Sequence, residues 1–228
     1  MPEKTESGFV VRFSKWTRLQ HSLVIVLFGL LLLTGLPQKW PYVEMSRWVV
    51  DMLGGVFLVR WLHRAAGIVF GVLVVAHVVG AVMTLARRRG QPTMFFSIDD
   101  FKDAIQTMRY YLGRAESQPR FGRFDFRQKF EYWGMLFGSA IMLVTGFVLL
   151  FPIVTARLLP ADLIPAAKVM HSNEALLAFL IILVWHMYGA ILNPEVFPLD
   201  TSIFTGKISK KRLKHEHRLE YDERFKEP

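Results

Sequence analysis

The segment WLHRAAGIVFGVLVVAHVVGAVMTLA, Trp61 to Ala86, decides the fold of this chain. From Ala65 to Ala86 it carries no charged side chain. About 20 apolar residues in a helix cross the hydrocarbon core of a bilayer, and a helix satisfies its own backbone hydrogen bonds there. The segment therefore predicts a transmembrane helix, with His63 at its start and His77 inside it.

Three more charge-free blocks occur in the 228 residues, of which 52% are hydrophobic. They are Leu19–Gln38, Tyr132–Ala156 and Ala175–Pro194, and the last is expected to begin earlier, near Val169. Soluble domains are usually less apolar. The pattern predicts an all-α integral membrane protein, a bundle of four transmembrane helices.

The basic residues predict the orientation of these helices. Of the 28 Lys and Arg residues, 22 lie in the N-terminal segment, the loop between spans 2 and 3, and the tail, and 6 lie on the other side. Cytoplasmic loops carry the excess of Lys and Arg. We expect a multi-pass protein of a bacterial-type inner (plasma) membrane with both termini cytoplasmic. The net charge of +9 then reflects topology and not a nucleic-acid partner. Residues 1–206 are expected to form the membrane domain, and residues 207–228 a charged cytoplasmic tail along the surface.

A short amphipathic helix is predicted between spans 2 and 3. Ser97 and Asp100 resemble a capping box, with Asp in place of Glu. Behind them, apolar residues recur at helical spacing up to Gly113, which can end the helix. Such a helix either lies on the cytoplasmic membrane face or packs on a partner subunit.

Five of the seven histidines lie in or beside the spans: His21, His63, His77, His171 and His186. Ionisable groups in a bilayer are costly and usually functional. In the predicted topology, His63 and His171 share an outer layer, and His21, His77 and His186 share an inner one. His63 and His77 are fourteen residues apart and His171 and His186 fifteen, axial drops of roughly 21–23 Å in a helix.

Two facing helices with such pairs can hold two stacked irons, each between two imidazoles, and the wide gap between the layers suits a flat macrocycle. Zinc normally takes three or four ligands close together, whereas haem takes imidazole as an axial ligand. The chain has no cysteine, which excludes thiolate sites, iron–sulfur clusters and covalent C-x-x-C-H haem attachment. The sequence therefore predicts two non-covalently held b-type haems per chain.

Several residues near the layers are candidates for contacts with such a ring. Arg60 and Arg64 flank His63, and Arg18 lies about one turn before His21, so each is placed to pair with a haem propionate. The alternative is the ordinary flanking charge of a span. Glycines of spans 2 and 3 either let a ring edge approach the backbone or pack helices: Gly67, Gly71, Gly134, Gly138 and Gly146. His215 and His217, in the tail, are expected to be solvated.

The chain resembles the cytochrome b (gamma) subunits of respiratory formate dehydrogenases. The resemblance extends to the wider four-helix dihaem cytochrome b family of hydrogenase and thiosulfate reductase membrane subunits. It covers nearly the whole chain and rests on motifs in matching order and spacing: Arg18-Leu-Gln-His21, Trp61-Leu-His63-Arg64-Ala-Ala-Gly67, Gln128-Lys129, His186-Met-Tyr188 and Gly206-Lys-Ile-Ser-Lys-Lys211.

The resemblance implies a ligand set. It assigns His63 and His171 to the outer haem, and His21 and His186 to the inner one. His77 departs from the formate dehydrogenase pattern, and the fourteen and fifteen spacings are similar to cytochromes b of the bc and b6f type. His77 with His186 is therefore the alternative inner pair, and the unused histidine is then available to a quinone.

The resemblance also implies a quinone site at the inner haem, just before span 3, where Asp125, Arg127 and Gln128 lie. Asp125 replaces the family's Asn and Arg127 replaces a Gly. The implied function is electron transfer between a partner redox subunit outside and the membrane quinone pool near the cytoplasm. The partner is an iron–sulfur subunit or multihaem cytochrome, with a catalytic subunit, because this chain has no primary substrate site.

Two rival functions remain: a transporter or proton channel whose histidines relay protons without haem, and a haem-free membrane anchor. Transporters favour broken helices and inverted repeats, and the sequence shows neither.

Overall fold

A computed structural model describes residues 8–87, 92–194 and 196–225. In chain order the elements are β1 (Phe9–Val11), α1 (Lys15–Lys39), α2 (Glu44–Met52), α3 (Val56–Ala86), α4 (Ile98–Tyr111), α5 (Phe126–Leu150), α6 (Pro152–Leu158), α7 (Leu163–Ile181), two π-helical turns (Ile182–His186 and Tyr188–Leu192), α8 (Ser202–Thr205), β2 (Lys207–Ser209), α9 (Lys210–Glu216) and α10 (Arg218–Phe225).

The predicted membrane fold is confirmed. Within the described residues, four helical segments are long and apolar enough to cross a bilayer: Lys15–Lys39, Val56–Ala86, Phe126–Leu150 and Leu163–Leu192. The predicted third block ran too far. α5 ends at Leu150, and Pro152 opens α6 at a position where its missing N–H costs nothing.

The spans bury small and polar side chains and expose large apolar ones. Thr34 and Thr145 are 0% and 5% exposed, whereas Val72 and Val144 are 65% and 67% exposed. Small or hydroxyl-bearing residues let helices approach closely in lipid, which solvates the large apolar side chains. This distribution is the one expected of a bundle that faces hydrocarbon.

The chain divides into two compact units. The histidine unit consists of Leu19–Val82 and Met135–Asp200, and it contains the paired span histidines. The ion-pair unit consists of Met1–Arg18, Met83–Gly134 and Thr201–Pro228.

The ion-pair unit joins the two ends of the chain. β1 pairs antiparallel with β2, with Val10 opposite Ile208, and both pack with Leu213 in a small buried core. Gly206, at φ +78°, precedes β2, and its carbonyl accepts hydrogen bonds from the amides of Arg12 and Phe13. The tail from Lys207, expected along the surface, thus folds into a strand and two helices.

A buried carboxylate ties this unit together. Glu220 of α10 accepts hydrogen bonds from Arg12 (2.9 Å), Arg123 (3.0 Å) and Arg224 (2.6 Å), and its side chain is 5% exposed. Charge-assisted bonds of this kind are the stronger class. The N-terminal strand, the loop before α5 and the C-terminal helix therefore meet at one anion.

The expectation that His217 is solvated is wrong. His217 is 4% exposed, its Nδ1 lies 2.7 Å from the Gly122 carbonyl, and its Nε2 lies 2.9 Å from Arg12 Nη2. Because a carbonyl only accepts and a guanidinium only donates, the ring is neutral, with its proton on Nδ1. Burial, together with the Arg12 charge, lowers the pKa of His217 to about 4.

Candidate functional site

His63 of α3 and His171 of α7, the predicted outer pair, face each other across the histidine unit. Their ring centres are 6.3 Å apart and the ring planes are inclined by 75°. Two metal–nitrogen bonds of about 2 Å each, plus the distance from each ring nitrogen to its ring centre, give a separation of about 6.3 Å. The two rings are therefore spaced to ligate one metal ion from opposite sides.

Each ring of the outer pair is held by a threonine of a neighbouring span. Thr34 Oγ1 lies 3.0 Å from His63 Nδ1 and Thr145 Oγ1 lies 2.9 Å from His171 Nδ1. The two hydroxyls donate to backbone carbonyls of their own helices, Leu30 at 2.7 Å and Ile141 at 2.6 Å.

These threonine contacts fix the imidazole tautomer. A hydroxyl can donate only one hydrogen bond, and both threonines donate it to a backbone carbonyl. Each histidine must therefore donate its Nδ1–H to the hydroxyl oxygen. The Nε2 lone pair of each ring is then the one available to a metal. Outer contacts of this kind orient metal-ligating histidines and raise their basicity.

Glycine follows each of these threonines. A Cβ at Gly35 would lie 3.1 Å from His63 Cε1, and one at Gly146 would lie 3.3 Å from His171 Cε1. The ring that lies against Gly146 in the structure is that of His171, whereas the sequence predicted a haem ring edge there. The Thr34-Gly35 and Thr145-Gly146 dipeptides, one in span 1 and one in span 3, are the signal that sequence reasoning missed.

His21 and His186 form the second pair. Their ring centres are 6.2 Å apart and their planes are inclined by 42°. His186 ends the first of the two π-helical turns, whereas His171 lies in the regular α7. π-helical turns are rare and occur often at functional sites. The inner pair thus matches the outer pair in spacing but differs in backbone and ring inclination.

His77, the predicted alternative to His21, lies in α3 with its Nδ1 3.3 Å from Gln20 Oε1. Gln20 precedes His21 in α1, so spans 1 and 2 contact each other here. In the described part of the chain, no three His, Cys, Asp or Glu side chains gather as a metal site would need. Four of the five span histidines thus form two pairs, the arrangement that would suit axial ligation of a planar ring.

The basic residues predicted near the layers have different surroundings. Arg60 and Arg64 are exposed on either side of His63 in the chain. Arg18 belongs to the ion-pair unit, where its Cδ would lie 3.1 Å from a Cβ at Gly206. A small residue at position 206 therefore leaves room for the Arg18 side chain.

The predicted quinone residues lie together at the start of α5. Asp125 is buried, and its carboxylate accepts from Arg127 Nη2 (2.7 Å), Arg127 Nε (3.0 Å) and the Gln128 amide (2.9 Å). Gln128 Oε1 in turn accepts from the Asp125 amide at 3.2 Å. These reciprocal bonds form a capping box. The cluster therefore starts the third span and holds the half-exposed Arg127 guanidinium in one place.

Span 4, Leu163–Leu192, also contains a carboxylate for which the sequence predicted no role. Glu174 lies three residues after His171, and a Cβ at Gly138 would lie 2.5 Å from its Oε1. Gly138 therefore makes room for a carboxylate and not for a ring edge. At Gly71 the neighbour is Leu143, which is helix packing, and no atom lies within 4 Å of a Cβ at Gly134.

Comparison with known proteins agrees with the resemblance inferred from the sequence. Residues 12–206 match the family described as prokaryotic cytochrome b561. The cytochrome b556(Fdn) subunit of nitrate-inducible formate dehydrogenase from Escherichia coli (strain K12) is 24% identical over 222 residues, which are 96% of this chain and 93% of the relative. Subunits of the same name from Escherichia coli O157:H7 and Shigella flexneri match with the same identity and coverage.

The threonine contacts predict a change in redox potential. Thr34→Val removes the acceptor of the His63 Nδ1–H and makes that imidazole a weaker donor to an oxidised metal. We expect the midpoint potential of the outer centre to rise by an amount on the order of tens of millivolts, as measured by spectroscopic redox titration of the purified protein. Thr155→Val, whose hydroxyl faces the Val148 carbonyl, is the matched control and should change neither potential. An unaltered outer potential in Thr34→Val would show that the contact does not tune the ligand.

Proposed function

The chain belongs to the prokaryotic cytochrome b561 family, and we propose that it is a dihaem electron-transfer subunit that links a partner redox protein to the quinone pool. Membership of a cytochrome b family implies haem b. The observation that carries the finer proposal is the pair of matched histidine sites, with ring centres 6.3 Å and 6.2 Å apart.

In this proposal His63 and His171 hold the outer haem, and His21 and His186 hold the inner one. Haem supplies a one-electron couple at the iron. The protein contributes two neutral imidazoles per iron, and at the outer site the threonine contacts present Nε2 to the metal. Arg60 and Arg64 are proposed to pair with propionates at the outer site, and Arg18 at the inner site. His21 is proposed in preference to His77 because its ring centre lies 6.2 Å from that of His186. His77 Nδ1 lies 3.3 Å from Gln20 Oε1, a contact between spans 1 and 2.

The partners proposed follow from the relatives. Those relatives are named as cytochrome subunits of formate dehydrogenase, and we propose the same kind of role here. An iron–sulfur subunit, or a multihaem cytochrome, would deliver electrons from a catalytic subunit to the outer haem. This chain has no cysteine with which to hold a cluster of its own.

Both termini are proposed to be cytoplasmic. The excess of Lys and Arg in the N-terminal segment, the loop between spans 2 and 3 and the tail supports this orientation. The pairing of β1 with β2 supports the placement of both termini on one side of the membrane. Protons for quinone reduction would then come from the cytoplasm while electrons arrive from the opposite side, which separates charge across the bilayer.

A quinone site is proposed at the start of span 3. Arg127 is the member of the cluster placed to meet a ligand, because its side chain is 40% exposed while that of Asp125 is 8% exposed. A guanidinium held in place by a carboxylate can donate to a quinone oxygen and stabilise its developing negative charge. Asp125 is then a positioning residue, and Gln128 fixes Asp125.

The haem assignment predicts which variants lose which haem. His63→Ala and His171→Ala should each lose the same haem and retain the other, because one iron needs both ligands. His77→Ala, the control, should retain both haems. The measurements are a pyridine haemochrome assay, expected to give near two haems per wild-type chain, and redox difference spectra of each variant. A wild-type protein without haem would contradict the proposal and favour a transporter or an anchor.

The quinone assignment predicts a selective loss. Arg127→Gln should slow haem oxidation by added quinone about a hundred- to a thousandfold, the usual range for a lost charge-stabilising donor, while chemical reduction of both haems is unchanged. Asp125→Asn retains an N-cap acceptor but weakens the hold on Arg127, so it should have a smaller effect. Arg120→Gln, an exposed basic residue of the same loop, is the control. Wild-type rates in Arg127→Gln would remove this cluster from the quinone site.

A further inference from the structure

The helix α4 buries polar residues and exposes apolar ones, the reverse of an amphipathic helix in a soluble protein. Its buried residues are polar: Asp100 is 6% exposed and Thr107 is 7% exposed. Its apolar residues, spaced three or four apart on one face, are between 61% and 76% exposed: Ile98, Phe101, Ile105, Met108 and Leu112. We name these five residues the α4 apolar face.

The polar side of α4 is fixed to the start of the third span. Lys129 Nζ lies 2.8 Å from both carboxylate oxygens of Asp100, which also accepts from the Ser97 amide at 2.6 Å, as the predicted capping box requires. Although burial opposes ionisation, these bonds hold the pKa of Asp100 below its usual value. The inverted packing is thus set by a buried ion pair, and the α4 apolar face is turned outward.

The attachment point lies where α5 begins its hydrophobic run. Lys129 is in the first turn of α5, and Trp133, one turn later, donates its Nε1–H to the Met94 carbonyl at 2.8 Å. Phe130, between them, is 58% exposed. The α4 apolar face therefore belongs to a helix fastened to a transmembrane helix within about two turns of its start.

Basic side chains border the α4 apolar face. Lys102 and Arg109 follow Ile98 and Ile105 by four residues, so they lie beside these residues on the helix surface. Both line an open cleft of about 510 Å³ with Arg114, Gln106, Ser117 and the acidic Glu116. Lys102 also pairs with Asp99 at 2.8 Å, and the two side chains are 70% and 78% exposed.

We propose that α4 lies in the headgroup region of the bilayer, with the α4 apolar face in the acyl boundary and Lys102, Arg109 and Arg114 against anionic phospholipid phosphates. An interfacial helix has this division of apolar face and basic border, and long basic side chains reach from an apolar surface to the headgroups. The bilayer is the chosen occupant because Asp100 fastens α4 to Lys129 in the first turn of a lipid-spanning helix, and because basic side chains border the apolar face. α4 then holds the loop before span 3 at a fixed depth.

The absence of cysteine from the chain makes the test direct. Phe101→Cys and Ile105→Cys on the α4 apolar face, and Asp99→Cys as the exposed polar control, are labelled with an environment-sensitive fluorophore in the full-length protein. The protein is reconstituted in phosphatidylcholine vesicles with and without phosphatidylglycerol. Quenching by nitroxide-bearing lipid reports contact with acyl chains, and quenching by iodide reports contact with water.

We expect the labels at 101 and 105 to be quenched several-fold more by nitroxide lipid than by iodide. The label at 99 should be quenched more by iodide than by nitroxide lipid. Combining Ile105→Cys with Lys102→Gln, Arg109→Gln and Arg114→Gln should abolish any gain in lipid quenching that phosphatidylglycerol gives. Iodide quenching at 101 and 105 in vesicles would overturn the membrane assignment. If the same labels were protected only in native membranes, a protein partner would cover the face instead. Equal quenching with and without phosphatidylglycerol would overturn the anionic-headgroup contact.

Discussion

The structure depends on one constraint: the hydrocarbon core of a bilayer offers no hydrogen-bond partner to an imidazole ring. A histidine ring in a span carries an N–H donor and a lone pair, and each needs a partner supplied by the protein or by a ligand. At the outer pair, threonine hydroxyl oxygens accept hydrogen bonds from both Nδ1–H groups. The remaining lone pairs, on Nε2, belong to rings whose centres are 6.3 Å apart. That distance leaves room for one metal ion and makes axial ligation the natural use of the site.

The two pairs satisfy the same constraint with different backbones. The outer pair lies on regular helices, with Gly35 and Gly146 leaving room for the ring edges. The inner pair places His186 at the end of a π-helical turn, where the rotation per residue differs from that of an α-helix. The ring planes are inclined by 75° in the outer pair and by 42° in the inner pair.

Sequence reasoning succeeded where one residue type carries the signal. Charge-free runs predicted the four spans, and Ser97 with Asp100 predicted the start of α4. Sequence reasoning failed where a side chain contacts a residue that is distant in the chain. In the sequence, Thr34 is an ordinary polar residue of an apolar helix. Its role depends on the contact with His63 of α3, which only the fold provides. His217 appeared solvated because its neighbours in sequence are charged, yet its contacts are Arg12 and Gly122, far along the chain. Span 4 is expected to begin near Val169, whereas α7 begins at Leu163. Glu174 lies within it, and Gly138 in another helix leaves room for its carboxylate.

Two bis-histidine haem sites with different ring inclinations are proposed for this bundle. Low-temperature electron paramagnetic resonance of the oxidised, purified protein tests this proposal most directly. Nearly perpendicular imidazole planes leave the iron orbitals of π symmetry close in energy, which gives a more anisotropic low-spin signal than less inclined planes give. Two low-spin signals in equal amount are expected. The signal with the larger g maximum should be absent from both His63→Ala and His171→Ala. A single signal, a high-spin centre in the wild-type protein, or no haem signal would contradict it.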